Sequence, residues 1–442
     1  MDTPSDPLAI LRTRNYVALL VLAAVIGAPI SAAAWGFLAL VSSLQGWIFT
    51  DLPKALGLGA EPLWWPIPPL AIAGVLVALT IRYLPGTGGH SPADGLKVGG
   101  GPTTPVELPG VVLAALATLS LGVVLGPEAP LIALGGGLAV LAVGLARRSV
   151  PARTTAVVAS AGSFAAISTL LGSPILGAFL LMEASGLGGA MLGVVLVPGL
   201  LAAGVGSLIF IGLGAWTGLG TYSLAIPDLP KFTRPDAPEF GWAIGIGLAA
   251  AVVGFGIRRL ALAVRPHVEG RILVLTPVVG LAVAGLAIAY AAGSGRSYSE
   301  VLFSGQSALG PLLTNAAGYS VGALLLLLAC KGLAYSVSMS SFRGGPIFPA
   351  MFLGAAGGIA LSHLPGLPMV PAVAMGIGAM TVAMLRLPLT TVLLATLLLL
   401  SDGLAVMPLV IVAVTVAYVA TARLEPRPPA ASAPPSDARS PG

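Results

Sequence analysis

The chain has 442 residues, of which 57% are hydrophobic and 8% charged, and its mean hydropathy is +1.00. Soluble domains carry roughly 25% charged residues, so this chain cannot cover itself with a water-facing surface and reads as an all-α polytopic membrane protein. A net charge of +5 with no basic stripe interleaved with aromatics excludes nucleic acid as a partner, and the lone Cys330 excludes an intrachain disulfide.

Residues 1–12 read as a polar lead. Arg12 and Arg14 precede the apolar run Tyr16 to Val41, which is longer than a signal-peptide core and predicts a retained first helix. Gln45 to Trp65 carries Asp51, Lys54, Glu61 and the pair Trp64/Trp65, the composition of an interfacial loop. After the apolar run Pro69 to Ile81 comes the turn Gly86-Thr87-Gly88-Gly89-His90-Ser91-Pro92. Its backbone at Gly88 and Gly89, with a hydroxyl from Thr87 or Ser91, could face an anion, or it is a plain interfacial loop.

Val111 to Val124 leads into Gly126-Pro127-Glu128-Ala129-Pro130, and a later run from Pro174 ends at Glu183. Glu183 reads either as a proton acceptor or as an interfacial acid. Leu192 to Leu213 is followed by the polar stretch Tyr222 to Glu239, with Asp228, Lys231, Arg234 and Asp236, which looks like a joint between two halves, about 13–225 and 240–424. Three further apolar runs follow: Ile244 to Val253, Ile272 to Ala292 and Val321 to Cys330. Lys331 then interrupts the pattern, as an attractor of anions, the partner of an acid, or a snorkelling side chain. His267 and His363 fall in expected loops and take no role. Gly345-Pro346-Ile347-Phe348-Pro349 and Pro388-Leu389 precede Asp402, an expected helix cap, and the run Val406 to Ala420. Residues 425–442, rich in Pro, Ala and Ser, read as a disordered tail behind a membrane domain over 13–424.

Several runs fall short of the roughly 20 apolar residues that span a bilayer, or are broken by Gly and Pro, which predicts tilted, broken and half-spanning helices. Basic residues cluster at Arg12/Arg14, Arg82, Arg147/Arg148/Arg153, Arg258/Arg259 and Arg423/Arg427. Read as cytoplasmic ends, they predict a multi-pass protein of a cell membrane, a bacterial inner membrane, with both termini cytoplasmic.

Residues 126–135 and 345–354 both fit G-P-x-x-P-x-x-x-L-G, and each is followed, at similar spacing, by a proline opening an apolar run, Pro174 or Pro388. Matched Gly/Pro interruptions in two halves are a signature of transporters with the substrate at the repeat interface. The chemistry agrees. A bare anion in hydrocarbon costs tens of kcal/mol by Born solvation. Helix N-termini offer unpaired amides and about half a positive charge, enough to hold an anion and still release it. Proline suits the first helical position, and glycine lets an ion approach the backbone. The amides around Gly126, Ala129, Gly345, Ile347 and Phe348 are therefore candidate anion ligands, against the alternative of packing kinks in a Gly-rich bundle. Glu128, an ionisable group in an uncharged membrane stretch, is a candidate gate: its carboxylate competes for the same amides and leaves when protonated.

The order of these motifs resembles the CLC family of chloride channels and proton-coupled chloride transporters. Gly126-Pro127-Glu128-Ala129-Pro130 is similar to the family's G-R/K-E-G-P, which puts Glu128 at its gating glutamate; Gly345 to Pro349 resembles G-x-F-x-P; and Gly88 to Pro92 sits where the family has G-S-G-I-P. Gly162 to Glu183 resembles the helix pair after the glutamate motif. The resemblance covers about Leu19 to Leu424. It implies an inverted repeat, a homodimer in the lipid bilayer, and transport of chloride or a similar anion with protons as a possible second substrate, without cofactor or metal. Pro127 and Ala129 depart from the family motif, Gly89 takes the place of its anion-coordinating serine, no pore tyrosine matches, and Ala184, next to Glu183, takes the place of its inner proton glutamate. Chloride/proton exchange gated by Glu128 and a passive chloride channel both remain readings of this pattern. An intramembrane enzyme would need a constellation such as H-E-x-x-H, and His267-Val268-Glu269 lacks the second histidine. A carrier of organic solutes or cations would favour more buried acids than Glu128 and Glu183.

Overall fold

The computed structural model describes residues 11–59, 61–96, 101–146, 151–186, 190–218, 231–232, 234–399 and 403–425. The residues up to 10, most of the expected joint, Asp402 and the tail beyond Glu425 lie outside the described residues.

Among the described residues fifteen helices carry the fold, in chain order α1 Arg14–Gly46, α2 Ile67–Tyr83, α3 Leu108–Ser120, α4 Glu128–Ala146, α5 Ala152–Leu171, α6 Pro174–Ser185, α7 Ala190–Thr217, α8 Ala237–Gly270, α9 Ile272–Ser294, α10 Gln306–Thr314, α11 Val321–Ser341, α12 Ile347–Leu361, α13 Met369–Leu385, α14 Pro388–Leu398 and α15 Gly403–Leu424. Among the described residues, eight helical segments are long and apolar enough to cross a membrane, while α2, α3, α6, α12, α13 and α14 are shorter apolar helices. This is the multi-pass pattern of long and half-spanning helices expected from the broken runs.

Local signals explain many of the boundaries. The Thr13 hydroxyl accepts from the Tyr16 amide and opens α1. Asp236 and Glu239 form a capping box that opens α8. Ser173 and Ser320 cap α6 and α11, and Gly172, Gly186 and Gly295 end α5, α6 and α9 in the left-handed conformation. Two expectations need correction. The first part of Gln45 to Trp65 is helical: α1 runs on through a π-turn at Trp47–Asp51 into Leu52–Ala55. His267 lies in the last turn of α8 rather than in a loop.

The chain is an inverted repeat. The series α4, α5, α6, α7 recurs as α12, α13, α14, α15, and the packing recurs with it. In the first half α4 packs on α5, and α1 packs on α5 and α7; in the second, α12 packs on α13, and α8 packs on α13 and α15. The α4–α5 crossing is made by small residues. A Cβ on Gly135 would strike the Gly162 carbonyl, and one on Gly162 would strike the Gly135 carbonyl; Gly354 and Gly376 oppose each other in the same way across α12 and α13. Backbones come that close only where side chains are absent, as in membrane bundles generally. The halves are joined where α9 packs on α2 and α14 on α6.

Candidate functional site

The two Gly-Pro segments meet. The Gly126 amide donates to the Gly345 carbonyl at 2.8 Å, and the Gly345 amide donates to the Gly126 carbonyl at 2.6 Å, a single antiparallel bridge. From this clasp α4 leaves at Glu128 and α12 at Ile347. Two helix N-termini therefore start side by side deep in the protein, each with the first-turn amides that an α-helix leaves unpaired. Proline at 127 and 346 costs no hydrogen bond there. The hydroxyl of Tyr335, from the last part of α11, donates to the Pro346 carbonyl at 2.8 Å and fixes the approach to α12.

Glu128 lies in the clasp with 0% exposure. Its Oε1 accepts the Phe348 amide at 2.9 Å, so the carboxylate of one half is held at the helix start of the other. Its Oε2 is buried without a hydrogen-bond partner, a costly arrangement for a carboxylate oxygen. Space around it is tight: a Cβ on either Gly126 or Gly345 would fall on the carboxylate.

Beside the clasp lies a cavity of about 400 Å³ whose wall includes Gly88, Gly89, Ser91, Ala129, Arg343 and Gly344. That is room for about a dozen waters at about 30 Å³ each, or for a partly hydrated small anion. Gly88 and Gly89 are at φ 68° and 96°, a left-handed backbone that glycine adopts at little cost. The Ser91 hydroxyl is buried without a partner.

The ten residues picked from the sequence thus fall into three groups. Gly126, Glu128, Gly345, Ile347 and Phe348 form the clasp. Gly88, Gly89, Ser91 and Ala129 line the neighbouring cavity, with Ala129 adjoining both groups through the chain. Glu183 stands apart. Its Oε1 accepts the Leu389 amide at 3.0 Å, and its Oε2 accepts the Thr390 amide at 2.8 Å and the Thr390 hydroxyl at 2.7 Å. It caps α14 across the boundary between the halves.

Arg343 was missed by sequence reasoning. Its Nε donates to the Thr87 carbonyl at 3.1 Å and its Nη1 to the Phe342 carbonyl at 3.2 Å. It brings a guanidinium to the cavity wall. The signal was present: Arg343 is the only Asp, Glu, Lys or Arg between Lys331 and Arg386, directly before the second Gly-Pro segment. Lys331 does not snorkel; it is fully buried. Among the described residues, no group of three or more His, Cys, Asp or Glu side chains could hold a metal ion.

Comparison with known proteins agrees with this geometry. The chain is 30% identical over 363 residues to YfeO of Escherichia coli (strain SE11), covering 81% of this chain and 82% of that one. Its fold is similar to that of a slow cyanobacterial Cl−/H+ antiporter, with a TM-score of 0.75 at 19% identity over 93% of this chain and 95% of the other. It is also similar to a CLC-type fluoride/proton antiporter, with a TM-score of 0.64 at 20% identity over 91% and 95%. The sequence pattern of the voltage gated chloride channel family matches residues 70–422. With its inverted repeat and its two joined helix starts, the chain belongs to the voltage gated chloride channel family, the CLC proteins.

Proposed function

We propose that this protein exchanges chloride, or a similar small inorganic anion, for protons, with Glu128 as both gate and proton carrier. One observation carries the reading: Glu128 Oε1 holds the Phe348 amide at 2.9 Å. A carboxylate seated on a helix-start amide is a tethered version of the anion to be carried. Protonation removes its charge and weakens the charge-assisted bond. The acid then swings away with its proton, and a free anion takes the amides. Return of the carboxylate expels the anion and delivers the proton. The two antiporters to which the fold is compared above favour exchange.

The passive channel is the second reading, and Glu183 favours it. That acid is engaged by three hydrogen bonds to α14, which leaves it poorly free to relay protons. Residues 13–424 would be the transport domain, assembled as a homodimer in a bacterial inner membrane with its termini cytoplasmic.

Purified protein in liposomes tests both readings. A chloride gradient should drive protons uphill, with chloride and pH read together. Chloride flux without proton movement selects the channel. Absence of any anion flux, with chloride, nitrate and fluoride each supplied, rejects anion transport.

A further inference from the structure

Lys331 sits within α11 and is fully buried, with 0% exposure. Its Nζ donates towards four consecutive backbone carbonyls: Glu300 at 3.0 Å, Val301 at 2.9 Å, Leu302 at 3.1 Å and Phe303 at 3.4 Å. The fifth neighbour is the ring of Phe352, with its centroid 4.4 Å away. The segment 300–303 lies between α9 and α10, and it turns at Phe303 and Gly305, at φ 59° and 85°.

All of these neighbours are acceptors or the negative face of an aromatic ring. A neutral amine would aim its lone pair at a carbonyl oxygen; an ammonium, with three donors and no lone pair, fits. The cradle of carbonyls thus favours the ammonium form of Lys331 over the neutral amine. Among the described residues, no carboxylate lies within ion-pair distance of it. Glu300 supplies its backbone carbonyl and acts on the ammonium through its charge, but its carboxylate is hydrogen-bonded by the hydroxyls of Tyr290 and Tyr319 and by Arg296 Nε and makes no direct ion pair with Lys331. Carbonyl dipoles compensate a buried charge only in part.

Two short paths lead from this charge to the clasp. Four residues along α11 is Tyr335, whose hydroxyl meets the Pro346 carbonyl. Four residues back along α12 from Phe352 is Phe348, whose amide holds Glu128. Each path is one helical turn, about 5.4 Å of rise. The other titratable groups on the elements packed around α11 are Cys330 and Tyr335 on α11 itself, Tyr290 on α9, Asp94, which is ion-paired at 2.7 Å to Arg265 of α8, and, on α8 besides Arg265, Glu239, Arg258, which approaches Tyr335, Arg259, His267 and Glu269. Tyr298, Glu300 and Tyr319 lie on the connecting segments.

We propose that Lys331 is the fixed counter-charge of the anion site, a positioning residue whose immobilised ammonium stabilises whichever anion occupies the start of α12, the Glu128 carboxylate or the transported ion. This rests on the reading of the clasp as the anion site. At an effective dielectric of about 20, a unit charge about 10 Å from a bound anion would change its binding roughly tenfold.

The test replaces Lys331 by Gln, which retains donors for the carbonyls and removes the charge. Chloride affinity is measured by isothermal titration calorimetry, and flux is followed against pH in liposomes. At a pH low enough to keep Glu128 protonated, so that its carboxylate does not compete, K331Q is expected to bind chloride about tenfold more weakly. The midpoint of its pH-dependent flux should move up by about one unit, because an uncompensated carboxylate takes its proton more readily. A purely structural lysine would not move that midpoint, and a folded K331Q with wild-type affinity and midpoint overturns the proposal. If K331Q fails to fold, the double variant K331Q/E128Q should recover folding, since it removes both charges of the pair; failure to recover it also overturns the proposal. Wild-type protein that binds no chloride defeats the anion-site reading itself, and the Lys331 proposal with it.

Discussion

Gly126 and Gly345, one from each half of the chain, exchange backbone hydrogen bonds at 2.8 and 2.6 Å, and a Cβ on either would land on the Glu128 carboxylate. Neither residue has a positive φ among the described residues, so alanine meets no backbone strain at either place. Gly345→Ala should therefore leave the fold intact and push the carboxylate from the Phe348 amide. The expected result is anion flux that persists at neutral pH and loses most of its dependence on pH. Flux assays from pH 5 to 8 check this, and a pH profile like that of the wild type would mean that the carboxylate does not need its present seat.

Glu128→Gln removes the charge and keeps the shape. If the carboxylate competes with the anion, wild-type flux should rise as pH falls, because protonation weakens its hold on the amide. The variant should behave as permanently protonated: anion flux insensitive to pH, with no uphill proton movement. Simultaneous chloride and proton electrodes read both quantities. Retained proton pumping in Glu128→Gln would take the proton-carrier role from this residue.

The clasp was legible in the sequence because its determinants are local and chemically distinctive. Proline at 127 and 346 marks a helix start, glycine before each marks a close approach, and Glu128 is conspicuous in an apolar stretch. The repeat could be found because both halves need the same backbone device. Other features were hidden by their partners. Lys331 is held by backbone carbonyls, which every residue type possesses, so composition gives no sign of the cradle. Glu183 caps a helix about half a chain away, and no local pattern announces that. The π-turn at Trp47–Asp51 was masked because Asp51, Pro53 and the tryptophan pair look like a loop when read without the helix that continues through them.

Glu183→Ala should cost stability before it costs anything else. It removes three hydrogen bonds to the start of α14, and a bond to a charged group contributes about 1.5–3 kcal/mol net where it is shielded from water, less at a partly exposed cap such as this one. A net loss of about 1–3 kcal/mol is expected, visible as a lower Tm in detergent. Glu183→Gln should lose less, since its carbonyl still accepts. A normal Tm combined with lost proton transport would instead assign Glu183 to the proton path.

Arg343 invites a test that separates charge from scaffolding. It lines the cavity beside Gly88, Gly89 and Ser91, and it also ties the loop at Thr87 through its Nε. A cation on the wall of a low-dielectric chamber raises the local anion concentration and the rate of capture. If that is its role, Arg343→Gln should raise the KM for chloride several-fold with little change in maximal flux, and Arg343→Lys should restore much of the affinity despite losing the planar fork. If the guanidinium serves chiefly as a strut for the loop, Lys should rescue no better than Gln, and maximal flux should fall together with Tm. Initial rates of chloride uptake over a concentration series, paired with thermal unfolding of the same preparations, decide between the two.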